Sequence, residues 1–120
     1  MKTLPAIGPG RWDSQSLARA QELATFNRSR VYRLYTETVA DVDLRPIIGR
    51  YFEGFTVYQA SGVWQGQTEP ATVIEIVGKA SDLQSVVYLA GDIRVVNRQS
   101  CVLLTWHDAA MLTITEDSIR

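Results

Sequence analysis

The sequence predicts an α+β fold in which helices cover one face of an antiparallel β-sheet. Segments rich in β-branched and aromatic residues alternate with segments whose apolar residues recur at helical spacing. Read in order, they give a helix, then β-α-β-β-α-β. The chain has 120 residues, of which 46% are hydrophobic and 21% are charged, as expected for one globular domain.

The N-terminal region is predicted to contain an arm and an accessory helix. Prolines and glycines interrupt residues 1–12, so this stretch is predicted to be flexible, and residues 13–120 form the single domain. Asp13 is the expected N-cap of a helix with a narrow apolar stripe. The stripe consists of Leu17, Ala20, Leu23 and Ala24. Because it is narrow and rich in alanine, this helix is expected to pack on another part of the protein.

The next segments predict two strands with a short helix between them. Residues 31–40 alternate as a β-strand does. In residues 41–54, Asp43 is positioned to cap a helix and Pro46 suits its first turn. Residues 55–64 form the second strand, in which Gly62 is expected to mark a β-bulge.

The remaining segments predict a hairpin, a long helix and a last strand. Residues 65–70 connect the second strand to the third, which spans residues 72–78. Ser81 and Gln84 predict a capping box at the start of the long helix. Its predicted buried stripe consists of Leu83, Val86, Val87, Ala90, Ile93 and Val96. Residues 100–109 form the fourth strand, and residues 111–114 have the composition of a short C-terminal strand.

This order is that of the ferredoxin-like βαββαβ arrangement, with two helices on one face of the sheet, an added N-terminal helix and a short C-terminal strand. The third and fourth strands are apolar on both faces, so the face away from the helices needs a cover. A second copy of the chain is the expected cover, which predicts a homo-oligomer, either a dimer or a trimer. Glu75 would lie on that face, paired with Arg33 of a neighbouring strand or across a subunit boundary.

The charge balance and the rare residue types exclude several classes of function. Lys plus Arg is 12 and Asp plus Glu is 13, which favours neither nucleic acid nor a membrane surface as a partner. No apolar run reaches the roughly 18 residues of a membrane-spanning helix. Cys101 is the only cysteine and is interpreted as a buried, inert thiol in a cytoplasmic protein. With His107 as the only histidine, no metal site of His and Cys ligands is expected, and no cofactor motif is present.

Two groups of residues are candidates for a site. Trp64, Gln65, Gln67 and Glu69 place an aromatic surface beside hydrogen-bonding groups in one glycine-flanked connection, which suits a ligand. The alternative is a hairpin turn whose tryptophan packs into a subunit interface.

The second candidate group is Trp106 and His107, at the end of the fourth strand. Beside Asp108, His107 has the type and surroundings of a general base. The alternative is a histidine at the protein surface or in an interface, because no motif supplies a nucleophile.

The segment from Gly54 to Leu104 resembles small uncharacterised bacterial and phage proteins. The residues that carry the likeness are GFTV, the hairpin GVWQGQTE, an alternating strand and the helix DLQSVVYLAGDI. Such proteins resemble the PII-like superfamily in layout, which implies a ferredoxin-like, often trimeric protein. The resemblance implies a ligand- or partner-binding loop at residues 62–70. The phosphate-binding motifs of PII proteins are absent.

These observations predict an oligomeric regulatory or accessory protein. It would bind a small molecule or a protein partner at a subunit cleft near Trp64 and Glu69. One alternative is a small enzyme of the dimeric α+β barrel type, in which His107 or Glu69 transfers a proton. The other alternative is an interaction module without a pocket.

Overall fold

The computed structural model describes residues 14–26 and 28–114, with only the backbone for residues 23–26. The α+β fold is confirmed: the four strands form one antiparallel sheet in the order β2-β3-β1-β4. The elements are α1 (Ser14–Phe26), β1 (Arg28–Glu37), α2 (Arg45–Ile48), β2 (Thr56–Trp64), β3 (Gln67–Gly78), α3 (Leu83–Asn97) and β4 (Leu103–Ala110). No helix in the described ranges is long and apolar enough to cross a bilayer.

The chain divides into two compact units. Residues 29–109 form the larger one, with nearly all of the sheet, α2 and α3. The smaller one comprises residues 1–28 and 110–120, and its described part is α1, Arg28 and residues 110–114. Asp13 and the arm of residues 1–12 lie outside the described residues. Leu17 is 52% exposed, so the predicted stripe of α1 is not buried at this position.

The predicted C-terminal strand at residues 111–114 is wrong. These residues adopt neither helix nor strand, and β4 ends at Ala110. A few β-branched and apolar residues do not make a strand by themselves, because a strand needs a paired neighbour.

The core of the larger unit lies between the sheet and the two helices. Tyr32 and Leu34 of β1 and Ile74 and Ile76 of β3 are buried on this face of the sheet. The helices contribute Ile47, Ile48, Val86, Leu89 and Ile93 to the same cluster. Burying each aliphatic side chain stabilises the fold by about 1.5–3 kcal/mol. The Tyr32 hydroxyl keeps a partner by donating to the carbonyl of Lys79 at 2.6 Å.

Helix α3 begins and faces the core differently from the prediction. A turn of 3₁₀-helix at Ala80–Asp82 precedes it, and the carboxylate of Asp82 accepts the N–H of Lys79 at 2.8 Å, instead of a capping box from Ser81 and Gln84. Val87 and Val96, which were predicted to be buried, are exposed. Leu89 takes their place in the core. The buried stripe therefore runs through Val86, Leu89, Ile93 and Asn97.

Helix α2 is a single turn whose N-cap is Leu44, so the prediction of Asp43 as the cap is wrong, whereas Pro46 lies in the first turn as predicted. The carboxylate of Asp43 accepts the backbone N–H of Arg45 at 3.1 Å and the Arg45 side chain at 3.0 Å. These bonds lower the pKa of Asp43. After the helix, the Tyr51 hydroxyl donates to Asp92 of α3, which raises the pKa of Tyr51. This bond ties the end of the α2 segment to α3.

The β2–β3 hairpin is longer and more regular than predicted. Its register runs without interruption from Thr56 opposite Glu75 to Trp64 opposite Gln67, so the predicted bulge at Gly62 is wrong. The connection is not residues 65–70 but the two-residue turn Gln65–Gly66, with φ of 50° and 78°. Two successive positive φ values are typical of the type I′ turn, whose twist matches that of the strands.

The hairpin extends past the rest of the sheet. Strand β1 pairs with β3 only from Gly78 to Ala71, and Thr38 N–H then reaches the carbonyl of Pro70 at 3.3 Å. Residues 61–64 and 67–70, here the outer hairpin, therefore form a two-stranded extension. Residues 56–60 and 71–75 form the inner hairpin, which lies within the sheet.

The sheet face away from α2 and α3, here the open face, mixes apolar and paired polar residues. Glu75 accepts the Arg33 side chain at 2.9 Å, which confirms the intrachain pairing predicted for it. This bond raises the pKa of Arg33. Val73 is buried between Tyr35 and Tyr58, its register partners on either side. Both tyrosines remain exposed at this face.

Candidate functional site

A cleft of about 390 Å³ lies on the open face, beside the outer hairpin and within the larger unit. It is bounded by β1, the β2–β3 hairpin and the segment that leads into β4. Its lining residues are Tyr35, Thr36, Glu37, Gly62, Val63, Trp64, Glu69, Pro70, Ala71, Gln99, Ser100, Cys101 and Leu103.

Small residues form the floor of the cleft. Gly62 is paired with Glu69, and Ala71 is paired with Glu37. A Cβ added at Gly62 would stand 3.7 Å from the Cβ of Ala71, so both positions point to the same place on the open face. Because neither position carries a large side chain, a depression remains between the larger neighbouring residues.

The walls of the cleft are aromatic and aliphatic. Trp64 is 69% exposed and Leu103 is 61% exposed, both high values for large apolar side chains. Tyr35 is the second aromatic wall. Val102 and Leu104 pack against the core, so the alternation of β4 directs Leu103 to the open face. Exposed apolar side chains gathered around a concave surface are typical of a binding site.

The charge in the cleft is negative. Glu37 and Glu69 line it, and no Lys, Arg or His is among its described lining residues. In the part of the chain that the structure describes, neither carboxylate forms an ion pair. Arg33, on β1 near Tyr35, is already paired with Glu75. Among the described residues, therefore, neither cleft carboxylate is engaged in an ion pair, and both are available to a ligand.

A buried polar cluster supports the cleft from below. The side-chain oxygen of Gln99 accepts the Thr36 hydroxyl, the N–H of Glu37 at 3.3 Å and the amide of Asn97 at 3.1 Å. The Gln99 amide donates in turn to the carbonyl of Cys101. Gln99 therefore holds the wall on β1 and the segment before β4 in fixed positions, because a buried hydrogen-bonding group stays with its partners.

The predicted site residues of the hairpin separate into two pairs. Trp64 and Glu69 line the cleft. Gln65 lies in the turn and Gln67 is the strand partner of Trp64, and both are exposed at the tip of the hairpin. Neither is among the described residues that line the cleft.

The predicted pair at the end of β4 lies elsewhere. The Arg30 guanidinium stands 5.9 Å from the Trp106 ring and donates to Asp108 at 3.0 Å. Trp106 is on the face of β4 that carries Leu104, opposite the cleft. His107 is exposed. At about 3.3 Å per residue, it lies roughly 13 Å along β4 from Leu103, which lines the cleft.

Sequence reasoning missed several residues of the cleft and misread one. Cys101 is exposed and lines the cleft, so its interpretation as a buried thiol is wrong. It precedes β4 instead of lying within a paired strand, which starts at Leu103. Tyr35, Glu37 and Leu103 were not predicted. In the sequence, these residues are marked only by the alternation of each strand, which places them on its exposed face. That alternation identifies a site only when the order of the strands is known.

A second cavity, of about 300 Å³, lies near α2. Its lining mixes polar residues such as Gln59, Thr72 and Asn97 with apolar residues such as Leu44 and Val57. Asn97 Oδ1 is buried without a hydrogen-bond partner. No group of three or more His, Cys, Asp or Glu residues suited to a metal ion occurs within the described ranges.

No family model matches the sequence, and the search among curated proteins returned no match. Among solved structures, the chain is similar to the crystal structure of a DUF3240 family protein from Shewanella baltica OS155. The two are 10% identical with a TM-score of 0.52, over 72% of this chain and 93% of that one. At this identity the likeness shows the fold alone. The chain therefore shares its α+β fold with a member of a small uncharacterised family.

Proposed function

We propose that the protein is a regulatory or accessory protein that binds a small molecule in the cleft beside the outer hairpin. The observation that carries this proposal is the cleft itself. Its volume of about 390 Å³ is in the range of small-molecule sites, and it joins exposed aromatic walls to a few polar groups. The buried Gln99 cluster would keep the site formed before the ligand arrives, which reduces the entropy cost of binding.

The two alternative functions are less well supported by this geometry. An interaction module without a pocket would not need small residues at Gly62 and Ala71 between larger neighbours. The alternative enzyme transfers a proton through His107 or Glu69, and only a residue that lines the cleft could act on a substrate bound there. Glu69 lines the cleft, whereas His107 lies farther along β4 and is not among the described lining residues.

We infer a ferredoxin-like layout for the larger unit. The support is the strand order β2-β3-β1-β4 with α2 between β1 and β2 and α3 between β3 and β4. In this arrangement each strand–helix–strand crossover skips one position of the sheet. The similarity to the DUF3240 family protein supports the fold at a coarser level.

We also propose that a second copy of the chain covers the centre of the open face, so that the cleft lies at the edge of a subunit interface. Tyr58 and Val77 support this, since both are exposed large apolar residues on that face. Val77→Glu is expected to convert the oligomer to monomers in light scattering at micromolar concentration. Val87→Glu is the matched control, because Val87 is also 50% exposed but lies on α3. A wild-type monomer would contradict this part of the proposal.

The ligand proposal is tested with a library of small metabolites of all charge types. Cys101, the only thiol in the chain, supplies one readout: a ligand in the cleft should slow its alkylation by N-ethylmaleimide. The Trp64 indole N–H signal in NMR spectra, assigned with Trp64→Phe, supplies the second.

A variant that fills the cleft separates binding there from binding elsewhere. Gly62→Leu should abolish both effects of a bound ligand. Gly91→Leu is the control, since a Cβ at Gly91 meets no atom within 4 Å. The proposal fails if no compound changes either readout, or if the changes persist in folded Gly62→Leu protein.

A further inference from the structure

We propose that the ligand of this cleft is an organic ammonium ion, a small molecule with an alkylated, positively charged nitrogen. The inference rests on the proposed function and gives its ligand a chemical class. It follows from two independent properties of the cleft, its uncompensated negative charge and its aromatic walls.

Glu37 and Glu69 give the cleft its negative charge. Glu69 is next to Ala71 on the same face of β3, and Ala71 is the strand partner of Glu37, so the two carboxylates are diagonal neighbours on the sheet. Diagonal neighbours stand roughly 7–8 Å apart at Cα. Two carboxylates on diagonally neighbouring residues repel each other, and a cation that binds beside both of them lowers that repulsion.

The described residues that line the cleft do not supply the cation, since they include no Lys, Arg or His. Arg33 is held by Glu75 on the inner hairpin. Arg45 lines the neighbouring cavity that Glu37 also lines, but it is paired with Asp43. An anionic ligand would meet two negative charges with no opposite charge to offset them. The cleft therefore selects against anions.

Trp64 and Tyr35 are the aromatic residues of the cleft. Both line the cleft, from β2 and β1 respectively, and both are exposed to whatever enters it. The faces of these rings attract cations, and tryptophan does so most strongly. A metal ion would prefer oxygen ligands in greater number, and a strongly hydrated ion gains little from an indole. Alkylated ammonium ions are weakly hydrated and apolar on their surface, so they suit a ring face with a carboxylate nearby.

The test compares two probes of the same shape and different charge. Choline carries a trimethylammonium group, and 3,3-dimethylbutan-1-ol has a neutral tert-butyl group in its place. Both are titrated into the wild-type protein while the Trp64 indole signal and the alkylation rate of Cys101 are followed. Choline is expected to bind at least about fivefold more tightly than the alcohol. Its affinity should fall as salt is raised, and that of the alcohol should not.

Variants identify the groups responsible. Glu37→Gln and Glu69→Gln are each expected to weaken choline binding by about two- to fivefold and to leave the alcohol unaffected. Glu53→Gln, at an exposed carboxylate outside the cleft, is the matched control. Trp64→Leu keeps an apolar wall and removes the ring. In this variant choline should bind no more tightly than the alcohol. For that variant Cys101 alkylation is the readout. Unfolding midpoints check that each variant is folded.

The outcomes separate this inference from the function on which it rests. Equal affinity for choline and the alcohol, or unchanged choline binding in a folded Glu37→Gln, Glu69→Gln double variant, overturns the ammonium assignment. A neutral or anionic library compound that binds in the cleft while choline does not leaves the proposed function intact and overturns only the ligand class. If no compound of any charge changes either readout, both proposals are wrong.

Discussion

The inner and outer halves of the β2–β3 hairpin share two strands and one unbroken register, yet they differ in burial and in their pairing with β1. In the inner hairpin Thr72, Val73 and Ile74 are buried, and β1 pairs with β3. In the outer hairpin Val63 and Trp64 are about 70% exposed, and most of β3 pairs with β2 alone. Hydrophobic burial, not strand pairing, is the main source of stability. The outer half is therefore free to carry binding residues at little cost to the fold.

The glutamates of β3 show the same contrast. Glu75, on the inner half, has Arg33 as its partner, whereas Glu69, on the outer half, faces the cleft. The carboxylate of Glu75 is paired within the sheet, whereas the carboxylate of Glu69 has no ion-pair partner among the described residues and is available to a ligand. The following predictions test how far the two halves are separate, from the largest expected effect to the smallest.

The largest expected difference is between Ile74→Ala and Trp64→Ala. Ile74 is fully buried, so its truncation leaves a cavity and should lower the free energy of unfolding by about 2–5 kcal/mol. Trp64→Ala should change it by no more than about 0.5 kcal/mol, because an exposed residue loses few contacts. Urea unfolding followed by circular dichroism measures both. Similar losses in the two variants would show that the halves are one cooperative unit.

Next in size is Gln99→Leu, which removes the support below the cleft. The Thr36 hydroxyl, the Glu37 N–H and the Asn97 amide lose a common acceptor. A buried donor without a partner costs about 1–3 kcal/mol, so urea unfolding should show a loss of this size. Gln84→Leu, at an exposed glutamine of α3, is the control and should be neutral. If Gln99→Leu is also neutral, the cluster does not hold the cleft.

A smaller and local effect is expected at the turn. Gln65 has a positive φ, which asparagine adopts more readily, and Asn-Gly is the favoured pair for a type I′ turn. Gln65→Asn should slow amide hydrogen exchange in residues 61–64 and 67–70 by a few-fold. It should leave exchange in the inner hairpin unchanged, because that half opens only with the core. Slower exchange in both halves would contradict their separation.

The smallest effect is expected from the Arg33–Glu75 ion pair. Its side chains are about one-third exposed, and such pairs contribute little because water and salt screen them. A double-mutant cycle of Arg33→Gln and Glu75→Gln should give a weak favourable coupling at low salt. The coupling should disappear at about 1 M salt, where the screening length is about 3 Å. A coupling that high salt leaves intact would mean that the pair is more buried than its exposure indicates.

Local sequence signals predicted the elements of the fold well, and contacts between distant residues account for the errors. Alternation in residues 31–40 and 72–78 identified the two central strands. Helical spacing identified α3 but wrongly assigned Val87 instead of Leu89 to the core. Val87 was placed in the predicted stripe and Leu89 lies beside it, and the angle at which the helix meets the sheet decides between them.

The candidate site was predictable to the extent that it lies on one hairpin. Trp64 and Glu69 are close in sequence and were named together. Tyr35 and Leu103 join them only because β1 and β4 are placed beside the hairpin by the strand order. Cys101 was misread for a related reason: an apolar run predicted a strand that began too early, and a strand interior predicted burial.

Pro70 has a consequence for how these molecules meet in a crowded solution. Its carbonyl faces the β1 side, where it accepts Thr38 N–H, and in a strand the N–H of the same residue would point the same way. Proline has no N–H to offer there. The free edge of β3 is thus interrupted just where β1 stops, so another chain cannot readily add as a further strand. On its β3 side, the protruding hairpin can therefore present a tryptophan to its surroundings without becoming a template for edge-to-edge aggregation.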